Sequence, residues 1–128
     1  RYVGAFRDNR RHGQGNFNWS NGNTYVGAWS NGKQQGQGVK TWPSGDRYEG
    51  QWRDDKMVGQ GSYSWANGNR YEGQFSDDEI NGRGEYFWAN GDYYIGQWRS
   101  GKRNGPGIIT HANGEKENVV YNDGELRS

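Results

Sequence analysis

The sequence predicts an all-β protein, a single-layer, elongated and twisted antiparallel β-meander built from tandem 23-residue hairpins. Three observations predict it. All 23 glycines fall in phase with one 23-residue period. Between them, aromatic and polar residues alternate at a spacing of two, the period of a strand. The hydrophobic share is only 29%, and most of it is 7 Trp, 9 Tyr and 4 Phe rather than the aliphatic residues of a thick two-layer core. So low a share would suit a disordered chain, but disordered chains are poor in aromatics.

Each element of the unit follows in order. Tyr2, Tyr25, Tyr48, Tyr71 and Tyr94 open successive units. Two residues on stand Gly4, Gly27, Gly50, Gly73 and Gly96. Two further on stand Phe6, Trp29, Trp52, Phe75 and Trp98, with Tyr121 in a sixth, partial unit. A Gly-x-Gly pair follows, such as Gly36 with Gly38 and Gly59 with Gly61. Trp19, Trp42, Trp65 and Trp88 form the next column, with His111 in fifth place, and Gly22, Gly45, Gly68, Gly91 and Gly114 close the units. Residues 1–128 therefore read as one array. A degenerate half-repeat from Glu117, where Glu117 replaces the Tyr and Val119 the Gly, is expected to cap the C-terminal end.

Tyr48-Glu49-Gly50-Gln51-Trp52 places Tyr48, Gly50 and Trp52 on one side of a strand. Gly59 to Trp65 alternates likewise, which puts Gly59, Gly61, Tyr63 and Trp65 on that same face. Asn21-Gly22, Asn67-Gly68, Asn90-Gly91 and Asn113-Gly114 mark tight hairpin turns, with Ser44-Gly45 in the second unit. The other connection, around Arg53–Val58, is expected to be longer and polar. Glycine weakens a strand, and a ring laid across the bare backbone is the expected compensation. Roughly ten or eleven strands at ~4.8 Å would span ~50 Å and curl into a trough. A single layer leaves part of its ring surface uncovered, and a bare aromatic face of that size marks a recognition surface.

Written out, the unit is Tyr-x-Gly-x-aromatic, a polar loop, Gly-x-Gly, then x-x-x-Trp-x-x-Gly. This resembles the MORN (membrane occupation and recognition nexus) repeat over essentially the whole chain. His12-Gly13 matches the usual His-Gly step, whereas Gln35, Val58, Asn81 and Asn104 stand in for the His later. The resemblance implies a non-enzymatic scaffold whose groove holds an extended or helical segment of a partner protein in cytoskeletal, membrane-contact or signalling assemblies. That implies a cytoplasmic location, at a membrane or the cytoskeleton. By the same resemblance, the partner-binding residues are Trp29, Trp42, Tyr48, Trp52, Tyr63, Trp65, Tyr71, Phe75, Tyr86, Trp88, Tyr94 and Trp98. An alternative is a regulatory module of a larger signalling enzyme, since such repeats resemble segments fused to lipid kinases and methyltransferases.

The residues offer little for catalysis. Without Cys there are no disulfides, thiolate metal sites or thiol nucleophiles. Only His12 and His111 are present, and two histidines so far apart make a poor metal site. The Gly-x-Gly pairs lack the third glycine of a dinucleotide fingerprint, and no Gly-Lys-Ser/Thr follows them. No catalytic residue, metal or cofactor is therefore expected. A net charge of +1 gives no reason to expect nucleic acid. Arg7, Arg10 and Arg11 near the start, with Lys102 and Arg103 near the end, support a second reading in which basic loops meet anionic phospholipid. The first strand, beginning at Tyr2, should have an open edge, which predicts either upstream sequence or self-association into a homo-oligomer.

Overall fold

The structure, a computed structural model, describes residues 1–127. Its strands are β1 (Tyr2–Arg7), β2 (Arg10–Asn18), β3 (Thr24–Ser30), β4 (Lys33–Thr41), β5 (Arg47–Arg53), β6 (Lys56–Ser64), β7 (Arg70–Ser76), β8 (Glu79–Phe87), β9 (Tyr93–Arg99), β10 (Lys102–Thr110), β11 (Lys116–Asn122) and β12 (Glu125–Leu126). Each strand pairs antiparallel with the next, giving one open 12-stranded sheet in simple meander order. No helix occurs among the described residues. The strands number twelve rather than ten or eleven because the chain turns once more at Asp123-Gly124 and adds the short β12.

The two kinds of connection are the reverse of what the sequence suggested. The tight two-residue turns are the ones expected to be long. Arg53 pairs with Lys56 across Asp54 (φ 50°) and Asp55 (φ 68°), and Ser76 pairs with Glu79 across Asp77 (φ 47°) and Asp78 (φ 71°). Positive φ at both central residues matches the right-handed twist of the flanking strands, and Asp and Asn tolerate that region better than most residues. The Asn-Gly connections are three-residue loops instead. Gly22 N–H donates to Trp19 O, Trp19 N–H donates to Asn23 O, and Gly22 alone carries positive φ, at 97°. Asn21 keeps an ordinary negative φ, and its Oδ1 accepts from Asn23 N–H to tie the loop.

A bulge in the second strand of each hairpin explains the Gly-x-Gly pair. Between β5 and β6, Gly50 pairs with Gly61 but Gln51 pairs with Val58, so Gly59 and Gln60 have no partner there. Gly59 takes φ 61° at this bulge, and Gly36, Gly82 and Gly105 take 97°, 99° and 97° at theirs. A Cβ on Gly59 would point at the Gln51 side chain, whereas one on Gly61 would strike the Tyr48 ring. The two glycines therefore serve opposite faces, and the expectation that they share one is corrected: the bulge breaks the alternation.

Successive repeats are sewn together along both rims. On one rim, the N–H of the second turn residue donates to a carbonyl of the previous repeat, as in Asp55 to Gln34 O (3.1 Å), Asp78 to Met57 O (3.1 Å) and Gly101 to Ile80 O (2.8 Å). Asp55 Oδ1 accepts from Gln34 N–H in return, and Asp78 Oδ1 from Met57 N–H, each at 2.8 Å. On the other rim, Asp46, Asn69 and Asp92 each accept through Oδ1 from the N–H of Ala66, Ala89 and Ala112 in the next repeat. Each rim thus carries hydrogen bonds between neighbouring units, which fixes the stacking of hairpins.

Candidate partner-binding groove

One face of the sheet carries two rows of rings. In the inner row Tyr25, Tyr48, Tyr71 and Tyr94 are 0% exposed. Each lies flat over the glycine two residues on and over the facing glycine of the next strand, so that a Cβ on Gly61 would sit 2.5 Å from Tyr48 Cε1. Each hydroxyl reaches past the glycines to donate to a backbone carbonyl three residues on: Ala28, Gln51, Gln74 and Gln97. Burial pushes the Tyr25, Tyr48 and Tyr71 hydroxyls well above the usual phenol range. Trp29, Trp52, Phe75, Trp98 and Tyr121 stand edge-on between these tyrosines. Tyr48, for example, meets Trp52 and Phe75 with centroids 5.2 and 5.0 Å apart, nearly perpendicular. The indole N–H of Trp29, Trp52 and Trp98 donates to Gly15 O, Gly38 O and Gly84 O, which ties the three indoles to the backbone of an earlier hairpin.

The outer row is half-buried. Trp42, Tyr63, Trp65, Tyr86 and Trp88 form an unbroken run of tilted rings with centroid separations of 5.4, 4.7, 5.3 and 5.2 Å. Each Trp precedes a three-residue loop, and Tyr63 and Tyr86 lie two residues before Trp65 and Trp88 on the same face. Tyr63 O–H donates to Asp46 Oδ2 (3.0 Å), and burial together with that carboxylate pushes its pKa up to about 12. Asn69 Nδ2 donates to Tyr86 O–H at 3.0 Å. Rings held by such hydrogen bonds and by packing on their neighbours suit a contact face.

The ring residues named from sequence divide between the rows. Trp29, Tyr48, Trp52, Tyr71, Phe75, Tyr94 and Trp98 lie in the buried inner row, whereas Trp42, Tyr63, Trp65, Tyr86 and Trp88 present surface. Arg11, Gln34, Met57, Ile80 and Arg103, which precede the bulge and pair with Phe6, Trp29, Trp52, Phe75 and Trp98, complete the face beside the inner row. Sequence reasoning missed this column, because it passed for loop. The basic residues named from sequence lie apart, Arg7, Arg10 and Arg11 in β1 and β2, Lys102 and Arg103 in β10. Arg7, Arg10 and Lys102 are exposed. Arg11 and Arg103 instead stack on rings, Arg11 4.7 Å from the Trp29 centroid and Arg103 4.3 Å from that of Tyr121.

His111 holds the last place of the Trp column between two acids, with Nε2 3.1 Å from Glu117 Oε1 and Nδ1 3.4 Å from Asp92 Oδ2. The hydrogen bond to Glu117 leads in raising its pKa, with Asp92 adding to it. The Ala112 N–H, and then His111, hold the Asp92 carboxyl below its usual range. Among the described residues, no cluster of His, Asp and Glu is placed to hold a metal ion, and no helix is long and apolar enough to cross a membrane.

No curated protein matches the chain as a relative. Among solved structures, the chain is similar to the SAS-4 (dCPAP) TCP domain of Drosophila melanogaster, solved in complex with a proline-rich motif of Ana2 (dSTIL). The identity is 16%, the alignment covers 91% of this chain and 84% of that one, and the TM-score is 0.28, too low to bear on function or on fold. The family model of the MORN repeat matches five consecutive segments, residues 2–24, 25–47, 48–70, 71–93 and 94–116. These segments begin at the five tyrosines that lie over glycine in the inner row or, for Tyr2, at its edge. Membership in that family supports a protein-interaction module, and the chain belongs to the MORN repeat family.

Proposed function

We propose that this chain is a non-catalytic scaffold that binds an extended segment of a partner protein along its outer ring row. The observation that carries the reading is the run Trp42–Tyr63–Trp65–Tyr86–Trp88, five half-buried rings in contact, with Tyr63 and Tyr86 tied by hydrogen bonds to Asp46 and Asn69. Partly bare, rigid aromatics are the residues that dominate binding energy at protein interfaces. The inner row supplies the support and contributes little surface of its own.

The pitch of the array favours an extended segment over a helix. One repeat is two strands, so a Trp recurs about every 9.6 Å. Three residues of polyproline II advance about 9.3 Å, which presents the same side of the ligand to each successive Trp. A helix covering about 9.6 Å spends roughly 6.4 residues, close to 1.8 turns, so its contact face rotates away from the row.

Selection of displayed 16-residue segments against the folded chain tests the proposal. Segments so selected should lose at least about tenfold in affinity for Trp65→Ala, in line with loss of an interface anchor. An Ile108→Glu change on the opposite face should leave them unaffected. Selected segments that bind Trp65→Ala like the parent and lose affinity for Ile108→Glu would place the interface on the other face.

A further inference from the structure

Cations interrupt the apolar columns of the ring face at its two ends. In the column of Phe17, Tyr63, Tyr86 and Ile109 the second unit has Lys40. Its Nζ stands 5.2 Å from the ring centroid of Trp19 and 5.3 Å from that of Trp42. In the column that holds Gln34, Met57 and Ile80 mid-array, the first and fifth units have Arg11 and Arg103. Lys40 and Arg11 line one hollow with Trp19, Trp29 and Gln34. Arg103 lines another with Tyr86, Trp88 and Trp98. The middle of the groove, beside Met57 and Ile80, is apolar.

Among the described residues, none of these three cations forms an ion pair. Arg11 donates to Gly32 O and Arg103 to Tyr121 O–H, both neutral acceptors. Lys40 is drawn out of water, and burial lowers its pKa, with Asp78 and Asp55 acting the other way. Asp55 lines the same hollow, but its Oδ1 is committed to the Gln34 backbone N–H. Gln34 itself is 3% exposed, and its Nε2 has no hydrogen-bond partner. At the end held by Lys40 and Arg11, partly desolvated cations beside an unpartnered amide donor make a setting in which a bound anion offsets lost hydration.

We propose that the two ends of the groove bind carboxylates, Lys40 with Arg11 at one end and Arg103 at the other. The groove thereby selects a partner segment whose apolar stretch is flanked by acidic side chains. This rests on the proposed function and adds the chemistry of the partner. Lys40 in β4 and Arg103 in β10 are six strand steps apart, about 29 Å, which an extended segment covers in about nine residues. Direct carboxylate contacts to Lys40 and Arg103 set the register, and the Trp row between them accepts the apolar residues.

The test uses a labelled peptide with three Leu-Pro-Pro triplets between two Glu-Glu pairs, and its counterpart with every Glu replaced by Gln. Fluorescence anisotropy should show the Glu peptide binding roughly tenfold tighter than the Gln peptide. Lys40→Gln with Arg103→Gln, which leaves only Arg11, should remove most of that difference, weakening the Glu peptide and leaving the Gln peptide within about twofold. Trp65→Ala should weaken both peptides. Equal binding of the two peptides, no binding of either, or a Glu peptide indifferent to the double change would overturn the proposal. In the first and last of these cases, loss of binding in Trp65→Ala would leave the groove reading intact. If neither peptide binds, the display selection alone judges the groove. Phosphatidylserine vesicles that sediment the parent chain but not the double variant would assign the cations to lipid phosphate and likewise overturn it.

Discussion

Tyr48 explains why glycine recurs in these strands. Its ring needs the room left by Gly50 and Gly61, and in return it covers their backbone and closes the Gln51 carbonyl with its hydroxyl. This arrangement was legible in the sequence, because tyrosine two residues before glycine on the same strand face recurs five times. Which rings would be buried was not legible, since both rows are aromatic and only the fold shows which of them lie over glycine and which stand beside the loops. The account predicts a coupling. Gly61→Ala should cost ~1–3 kcal/mol by overpacking, and most of that cost should vanish in a Tyr48→Leu background. Leucine lacks the Cε1 and Cζ atoms that the added methyl would strike. Gly32→Ala, at φ 83° with nothing within 4 Å, should cost the same in both backgrounds. A denaturant-unfolding cycle with no coupling between positions 48 and 61 would contradict the ring-over-glycine account.

Hairpins are joined by turn chemistry that the sequence displayed in a form easily misread. Asn-Gly drew attention to one rim, yet there only the glycine takes positive φ. At the opposite rim the central pairs are Asp8-Asn9, Asn31-Gly32, Asp54-Asp55, Asp77-Asp78, Ser100-Gly101 and Asp123-Gly124, and both residues of each such pair are of the small, polar or glycine kind. That regularity was the signal for two-residue turns, but acidic pairs look like solvated loop. The bulge was equally hidden, because Gly-x-Gly fits simple alternation until the pairing register is known. At the C-terminal end the same rim contacts acquire a titrating group. His111 has a raised pKa, so what it contributes is complete below the ordinary imidazole value of 6.5 and is lost as pH climbs through the raised one. Asp92 is depressed, so its contribution is present above its ordinary 3.8 and lost as pH falls through the lowered value. The last hairpin should therefore hold best between those limits. Amide exchange of Ala112, referred to Ala66 and Ala89 in the same sample, should speed selectively above about pH 6.5. His111→Gln should remove the excess. A constant ratio of the three amides from about pH 5 to 8 would show that His111 does not hold the hairpin.

At the scale of the molecule, every strand touches mainly its sequence neighbours, so stability is close to a sum of hairpins and their interfaces. The sheet does not close, and its two edges differ. β12 is short, which limits pairing, whereas β1 has six residues with Val3 and Phe6 58% and 61% exposed. The all-β meander and its period were readable because every glycine, and every ring but Phe87 and Tyr93, repeats the same instruction. The cationic ends of the groove were not, because Arg11 and Arg103 look like loop residues until the tight two-residue turns extend β2 and β10 to include them and pair Arg11 with Phe6 and Arg103 with Trp98. The central claim is that one face holds a buried ring row beneath a bare one that binds a partner. Indole N–H signals test it most directly, since six of the seven tryptophans divide equally between the rows. Trp29, Trp52 and Trp98, bonded to glycine carbonyls, should exchange slowly and stay in place when a display-selected segment is added. Trp42, Trp65 and Trp88 should exchange fast and shift on that addition. Shifts confined to backbone amides of the opposite face, such as Glu49, Glu72 and Ile108, with every indole unmoved, would contradict it.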